Sequence, residues 1–141
     1  MRFRPKNYKE ENPEVFNKLI KNNPYMAHVH NYPKILYPHP STKISQKIKA
    51  FKNSVNKKKY PSRKIHLEIG CGSGRYLIEW AIKNKKDFFI GFELRYKRLV
   101  LAAKKIEQQK IKNIILMRER GEFIDEYFQQ NTLDYLHINF P

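Results

Sequence analysis

The chain has 141 residues, room for one domain of ordinary size. It carries 29 Lys and Arg against 13 Asp and Glu, a formal net charge of +16, so the expected partner is polyanionic: nucleic acid or an anionic surface. A single cysteine, Cys71, excludes an internal disulfide and a Cys-based zinc cluster, and no apolar run approaches the ~20 residues of a membrane span, so no membrane role is expected.

The charge is divided unequally. Residues 1–64 hold 16 Lys and Arg against 3 Glu, a net of +13, whereas residues 65–141 hold 13 against 10, a net of +3. A lysine-rich bias alone would charge both parts. Residues 1–64 are therefore read as a basic extension, and residues 65–141 as a separate unit. The start, Met1 to Lys9, is polar, so no secretory leader is expected. Asn12-Pro13-Glu14 reads as an N-cap, a proline at the first helical position and an acid in the first turn of a helix running to about Asn22. Tyr25 to Pro40, rich in Pro, His and Tyr, is expected to be irregular. Ser41 caps a second predicted helix, in which Ile44, Ile48, Phe51 and Val55 share one face. Lys57-Lys58-Lys59 and Pro61 read as a solvated linker. His28 and His30 lie close together but have no further ligand set, so they are read as loop packing and no metal is expected.

From Ile65 the texture changes to strands alternating with helices. Strands are predicted at Ile65–Ile69, Phe88–Glu93, Ile114–Met117 and Leu133–Asn139. Helices are predicted at Tyr76–Lys83, Lys97–Gln109 and Phe123–Phe128. Leu77, Trp80 and Ala81 face inward on the first, and Tyr96, Leu99, Val100, Ala103 and Ile106 form the stripe of the second. Right-handed crossovers then give an α/β fold, a doubly wound parallel sheet with helices on its faces.

Between the first of these strands and its helix lies Glu68-Ile69-Gly70-Cys71-Gly72-Ser73-Gly74. Glycines there let the backbone turn tightly and let a ligand approach the main chain. The dinucleotide fingerprint spaces its glycines G-x-G-x-x-G. Here the spacing is G-x-G-x-G with an acid two residues ahead, the pattern of S-adenosyl-L-methionine sites. That donor carries an ammonium group and a sulfonium and has no pyrophosphate, so the Glu68 carboxylate suits it and would repel phosphate. Glu93 ends the next strand and can accept hydrogen bonds from two ribose hydroxyls, which serves NAD and the methyl donor equally. Cys71 is read as a small buried residue of the turn.

Three runs in this order, Leu67-Glu68-Ile69-Gly70-Cys71-Gly72-Ser73-Gly74-Arg75, Ile90-Gly91-Phe92-Glu93-Leu94-Arg95-Tyr96-Lys97-Arg98 and Ile138-Asn139-Phe140-Pro141, resemble the bacterial tRNA (guanine-N7-)-methyltransferase family. The resemblance covers residues 65–141; the extension matches only as a basic segment with Asn-Pro-Tyr. It implies a Rossmann-like methyltransferase domain, of which the first four strands are present, the cofactor S-adenosyl-L-methionine, tRNA as partner, N7-methylguanosine as product and a cytoplasmic enzyme. It implies that Gly70, Gly72 and Gly74 line the methionine part of the donor beside Glu68. Glu93 would hold the ribose with support from Arg95, Arg120 and Gly121 would flank the adenine, and Asn139 would help bound the donor or the base.

Two places depart from the family. Where it has Asp or Asn followed by Ala, this chain has Arg120 and Gly121 within Arg118-Glu119-Arg120-Gly121-Glu122. Arginine can stack on adenine but cannot accept from its amine, which leaves backbone groups or Glu119 as acceptors. A surface charge run is the alternative reading. The family's catalytic Asp follows Asn-Phe-Pro, here Asn139-Phe140-Pro141, so no catalytic residue is assigned. The chain is expected to be a truncated enzyme or, alternatively, a non-catalytic remnant that binds donor or RNA. A nicotinamide-dependent oxidoreductase is disfavoured by the glycine spacing. The apolar fourth strand (Leu133, Leu136, Ile138, Phe140) would form an open edge, and the unit is expected to be marginally stable.

Overall fold

The central strands, Ile65–Ile69, Phe88–Phe92 and Ile114–Met117, are buried almost throughout rather than at alternate residues, which assigns helices to both sides of one sheet. The computed structural model describes residues 4–53 and 63–139. Its elements are α1 (Tyr8–Glu11), α2 (Pro13–Asn22), α3 (Tyr25–His28), β1 (Leu36–Tyr37), α4 (Lys43–Asn53), β2 (Ile65–Ile69), α5 (Arg75–Lys83), β3 (Phe88–Phe92), α6 (Tyr96–Gln108), β4 (Ile114–Met117) and β5 (Tyr135–Ile138). The strands run parallel in the order β1-β4-β3-β2-β5. Val55, the Lys57–Lys59 and Pro61 linker, and Phe140 and Pro141 lie outside the described residues.

Ile65, Leu67, Phe88, Ile90, Phe92, Ile115 and Met117 point to one face, where Ile44 and Ile48 of α4 cover them. Phe89, Ile114 and Leu116 point to the other, against Leu77 and Ala81 of α5 and Leu99, Ala103 and Ile106 of α6. Ser41 Oγ accepts from Lys43 N at 3.2 Å to start α4, and the Asn12 side chain accepts from Val15 N at 3.2 Å to start α2, as the sequence predicts. Trp80 packs on the core from its margin, and Ile78, not assigned from sequence, is buried.

Three expectations are corrected. Tyr25–Pro40 is not irregular: it forms α3, a 3-10 turn at Val29–Asn31 and β1. Val29 and Leu36 enter the core with α6, and β1 pairs with β4 through Leu36↔Leu116 and Tyr37↔Met117, so the sheet has five strands rather than four. Phe123–Phe128 is no α-helix but a 3-10 segment, Gly121–Glu126, interrupted at Phe123.

β5 is the outer strand beside β2, with Tyr135, Leu136 and Ile138 each about half exposed. A row of rings and imidazoles fastens it. Buried His66 stacks on Phe89 and Tyr135, and its Nε2 lies 2.9 Å from Asp87 Oδ2. His66 Nδ1 is 3.3 Å from His137 Nε2, whose other nitrogen is 3.4 Å from the Tyr76 hydroxyl. Burial first, then the neighbouring His66, pushes the His137 pKa down from its ordinary value. The unfolded chain therefore takes up that proton first as pH falls. The His137 contribution is full above the unfolded histidine pKa, near 6.5, and is lost as pH drops below it. Lowering the pH from about 7.5 to about 5 is expected to depress the thermal midpoint more in the wild type than in His137→Phe. Equal depression in both, read by circular dichroism melts, would remove His137 as the cause.

Candidate functional site

The glycine turn joins β2 to α5 at the carboxyl ends of the strands. Gly70 (φ 71°) and Gly72 (φ 58°) adopt the left-handed region, and a Cβ at either would meet nothing within 4 Å. Glycine is required there by the backbone, and the space above the turn is open to a ligand. Gly74 (φ 80°) caps α5, where a Cβ would lie 3.1 Å from Ala102, so its smallness brings α5 against α6. Gly70 N and Cys71 N both donate to Phe92 O, at 2.8 and 3.0 Å, which ties the turn to the end of β3. Cys71 is buried beneath it, and burial pushes its thiol pKa well up, consistent with its reading as a packing residue.

Two carboxylates flank the turn. Glu93 Oε1 accepts from Gly72 N at 3.2 Å, while Oε2 accepts from Leu94 N at 2.6 Å and Arg95 N at 3.0 Å. Glu93 therefore braces the turn against the start of α6, a role its position in the sequence did not disclose. Arg95 joins this group through its backbone, while its residue is exposed. Glu68 is 1% exposed. Its Oε2 accepts from Asn139 Nδ2 at 2.6 Å, and its Oε1 has no hydrogen-bond partner among the described residues. Burial raises its pKa, and the Asn139 bond opposes this. A buried carboxylate oxygen beside an open turn is suited to a cation, which would supply the missing donor and offset the desolvation.

On the far side of the site the structure divides Arg118–Glu122. Arg118 and Glu119 are buried, so the surface-run reading holds only for Arg120 and Glu122, whose ion pair spans 2.5 Å. Arg120 thus points to Glu122 rather than standing fixed over the turn. Gly121 is needed by packing, since a Cβ there would come within 2.8 Å of Ile69. Arg118 Nε donates to Leu94 O at 2.7 Å and its guanidinium lies 4.1 Å from the Tyr96 ring centroid. Glu119 is corrected as an acceptor for a ligand amine. Its Oε1 accepts from Arg120 N at 2.9 Å, and its Oε2 accepts from Arg4 Nη2 at 2.8 Å and from the Tyr127 hydroxyl at 2.5 Å. Arg4 also pairs with Glu126 and lies over Phe123, 4.1 Å from its centroid. Sequence reasoning missed Arg4 because its partners lie more than a hundred residues downstream; the only local sign was an arginine in a polar start.

Of the residues expected at the site, the structure thus brings Glu68, Gly70, Gly72, Gly74, Glu93, Arg95 and Asn139 around one turn. Arg120 and Gly121 stand at its margin, across Ile69. No group of three or more His, Cys, Asp or Glu among the described residues could hold a metal, and no helix there is long and apolar enough to cross a membrane.

Residues 62–141 match the family described as "Putative methyltransferase". A bifunctional glycosyltransferase/methyltransferase of Fusobacterium nucleatum is 33% identical over 135 residues, 96% of this chain and 21% of that protein. A tRNA (guanine-N(7)-)-methyltransferase of Enterococcus faecalis is 36% identical over 76 residues, 54% of this chain and 36% of that protein. The chain thus spans about a fifth and about a third of these two relatives. Among solved structures, an antibiotic-related methyltransferase is 21% identical with a TM-score of 0.50, covering 69% of this chain and 47% of that one, a likeness of fold.

Proposed function

Because this chain belongs to that methyltransferase family, we propose that it is an S-adenosyl-L-methionine-dependent methyltransferase, or a part of one, that forms N7-methylguanosine in tRNA. The observation that carries the donor assignment is the buried Glu68 carboxylate, with one oxygen unpartnered, beside a glycine turn open above Gly70 and Gly72. The relatives named for guanine-N7 methylation of tRNA support the substrate, as does the net charge of +16. The cytoplasm is the compartment that goes with this reading, and residues 65–141 form its donor unit with residues 1–64 as a basic extension.

When bound, the donor supplies a methyl group activated by its sulfonium. The residues of the chain hold and orient. Glu68 accepts from the ammonium group, with Asn139 fixing its rotamer. The open space above Gly70 and Gly72 admits the methionine portion, and Gly74 shapes the turn that lines it. Glu93, having already fixed the turn through three N–H groups, keeps a lone pair on Oε1 for a ribose hydroxyl, and Arg95 supports it. Arg120 and Gly121 flank the adenine, with backbone groups rather than Glu119 facing its amine. Guanine N7 is already nucleophilic, so the protein must position it in line with the methyl group rather than remove a proton.

Titration calorimetry is expected to show uptake of S-adenosylhomocysteine and none of NAD, and incubation of the chain with donor and tRNA is expected to yield 7-methylguanosine by mass spectrometry of the digested RNA. Uptake without methylation would assign the non-catalytic reading to this chain, and uptake of NAD would overturn the donor assignment.

A further inference from the structure

A concavity of about 1000 Å³ lies at the other end of the sheet from the glycine turn, floored by Phe88 and Ile114, the first residues of β3 and β4. Five separate stretches of chain bring cations to its rim: Lys34 ahead of β1, Lys47 on α4, Arg63 ahead of β2, Lys85 from the turn entering β3, and Lys110 and Lys112 from the turn entering β4. Two carboxylates line it. Asp87 is taken up by His66 and by Lys64 N, at 2.9 and 3.0 Å, which leaves Glu107 as the anion facing this ring. Aromatic surface sits among the cations. Phe51 stacks on Phe88 with centroids 5.3 Å apart, the Arg63 guanidinium lies 5.0 Å from the Phe51 centroid, and half-buried Tyr32 forms part of the wall.

We propose that this groove is a second nucleic-acid surface, one that grips the sugar-phosphate backbone of RNA at the end of the sheet remote from the methyl-donor turn. Convergence is the argument. Lysines scattered by compositional bias would cover helices and loops alike, whereas these, contributed by segments distant in sequence, surround one depression that follows the strand rim. A concave trough with cationic walls fits a phosphate ridge; an anionic bilayer meets a flat or convex face with apolar groups projecting from it. The rings beside Arg63 are of the kind on which an unpaired base stacks. The choice of RNA over other polyanions rests on the function proposed above. Each strand rises only ~3.3 Å per residue, so the five residues of β2 or β3 keep groove and donor turn within the span of a single folded RNA.

The test compares the wild type with two variants of equal charge in the 141-residue chain. One carries Lys34→Gln, Lys85→Gln, Lys110→Gln and Lys112→Gln. The other carries Lys18→Gln, Lys21→Gln, Lys52→Gln and Lys104→Gln, exposed positions that line neither groove nor turn. Anisotropy titrations with a fluorescent tRNA transcript at several salt concentrations, titrations with phosphatidylserine vesicles and calorimetry with S-adenosylhomocysteine are run on all three. The groove variant is expected to bind RNA at least about tenfold more weakly, with the slope of log K against log salt shallower by about 3, since each phosphate contact contributes about 0.7–0.9. The control variant is expected to keep most of the wild-type slope. Equal losses in both variants, an unchanged groove variant, or a loss confined to vesicle binding would overturn the proposal. Donor uptake should be the same in all three, so its absence from the wild type would count against the donor assignment while leaving the groove result to stand or fall by itself.

Discussion

Replacing Glu93 by alanine is expected to raise the Kd for S-adenosylhomocysteine by about a hundredfold, near 2.7 kcal/mol. The carboxylate does two jobs. Before any ligand arrives it accepts from Gly72 N, Leu94 N and Arg95 N, at 3.2, 2.6 and 3.0 Å, which pins the glycine turn to the start of α6. Hydrogen bonds to a charged acceptor are worth about 1.5–3 kcal/mol each when made inside a protein. Alanine releases all three N–H groups and frees a turn whose glycines have no side chains to hold it. In the donor-bound state it also removes the acceptor proposed for a ribose hydroxyl. Glu93→Gln keeps the shape and one acceptor oxygen, and about a tenfold rise is expected of it. Calorimetry decides: a Kd within threefold of wild type for the alanine variant would place the ribose elsewhere.

Glu119→Ala is the change expected to cost the most stability, about 3 kcal/mol, or near 10 °C in the thermal midpoint. The Glu119 side chain is fully buried and receives the Arg4 guanidinium, the Tyr127 hydroxyl and Arg120 N. Without the carboxylate, the Tyr127 hydroxyl loses its acceptor in a buried place, and Arg4 keeps only the half-exposed Glu126, the Tyr127 hydroxyl oxygen and the Phe123 ring among the described residues. Burial and Glu119 both push the Tyr127 pKa upward, so the lost acceptor faces a protonated hydroxyl at any ordinary pH. Arg4→Ala should cost less, about 1–2 kcal/mol, because the Arg4 side chain is 33% exposed and solvent replaces part of what it loses. The two changes together should cost less than their sum. Strict additivity in denaturant melts would show that Arg4 and Glu119 do not act as a pair.

The central sheet was legible because its physics is local. Ile65–Ile69 and Ile114–Met117 are short apolar runs bounded by turn residues, and the structure places β2 and β4 at those bounds. Capping chemistry at Asn12 and Ser41 announced α2 and α4 in the same way. β1 was hidden for the opposite reason. Two residues carry no periodicity, and Leu36 and Tyr37 become a strand only because β4, some eighty residues later, offers an edge. The segment after β4 is predicted as a short helix, but Phe123 departs from helical geometry where Arg4 packs over its ring. At the site, the positions around the turn could be read from the spacing of glycines and acids. The hydrogen bonds of Glu93 to the backbone, and the capture of Glu119 by Arg4, depend on side-chain directions that spacing does not encode.

The seat of β1 has a consequence for the order of events during synthesis. Leu36 and Tyr37 leave the ribosome long before Leu116 and Met117, the residues they pair with, and Arg4 emerges earlier still than Glu119 and Glu126. Closing loops of this length is slow and yields nothing until the far side exists. Arg4, Leu36 and Tyr37 are therefore among the last residues to find their places, and while they wait a basic, proline-rich stretch of chain stays unpacked.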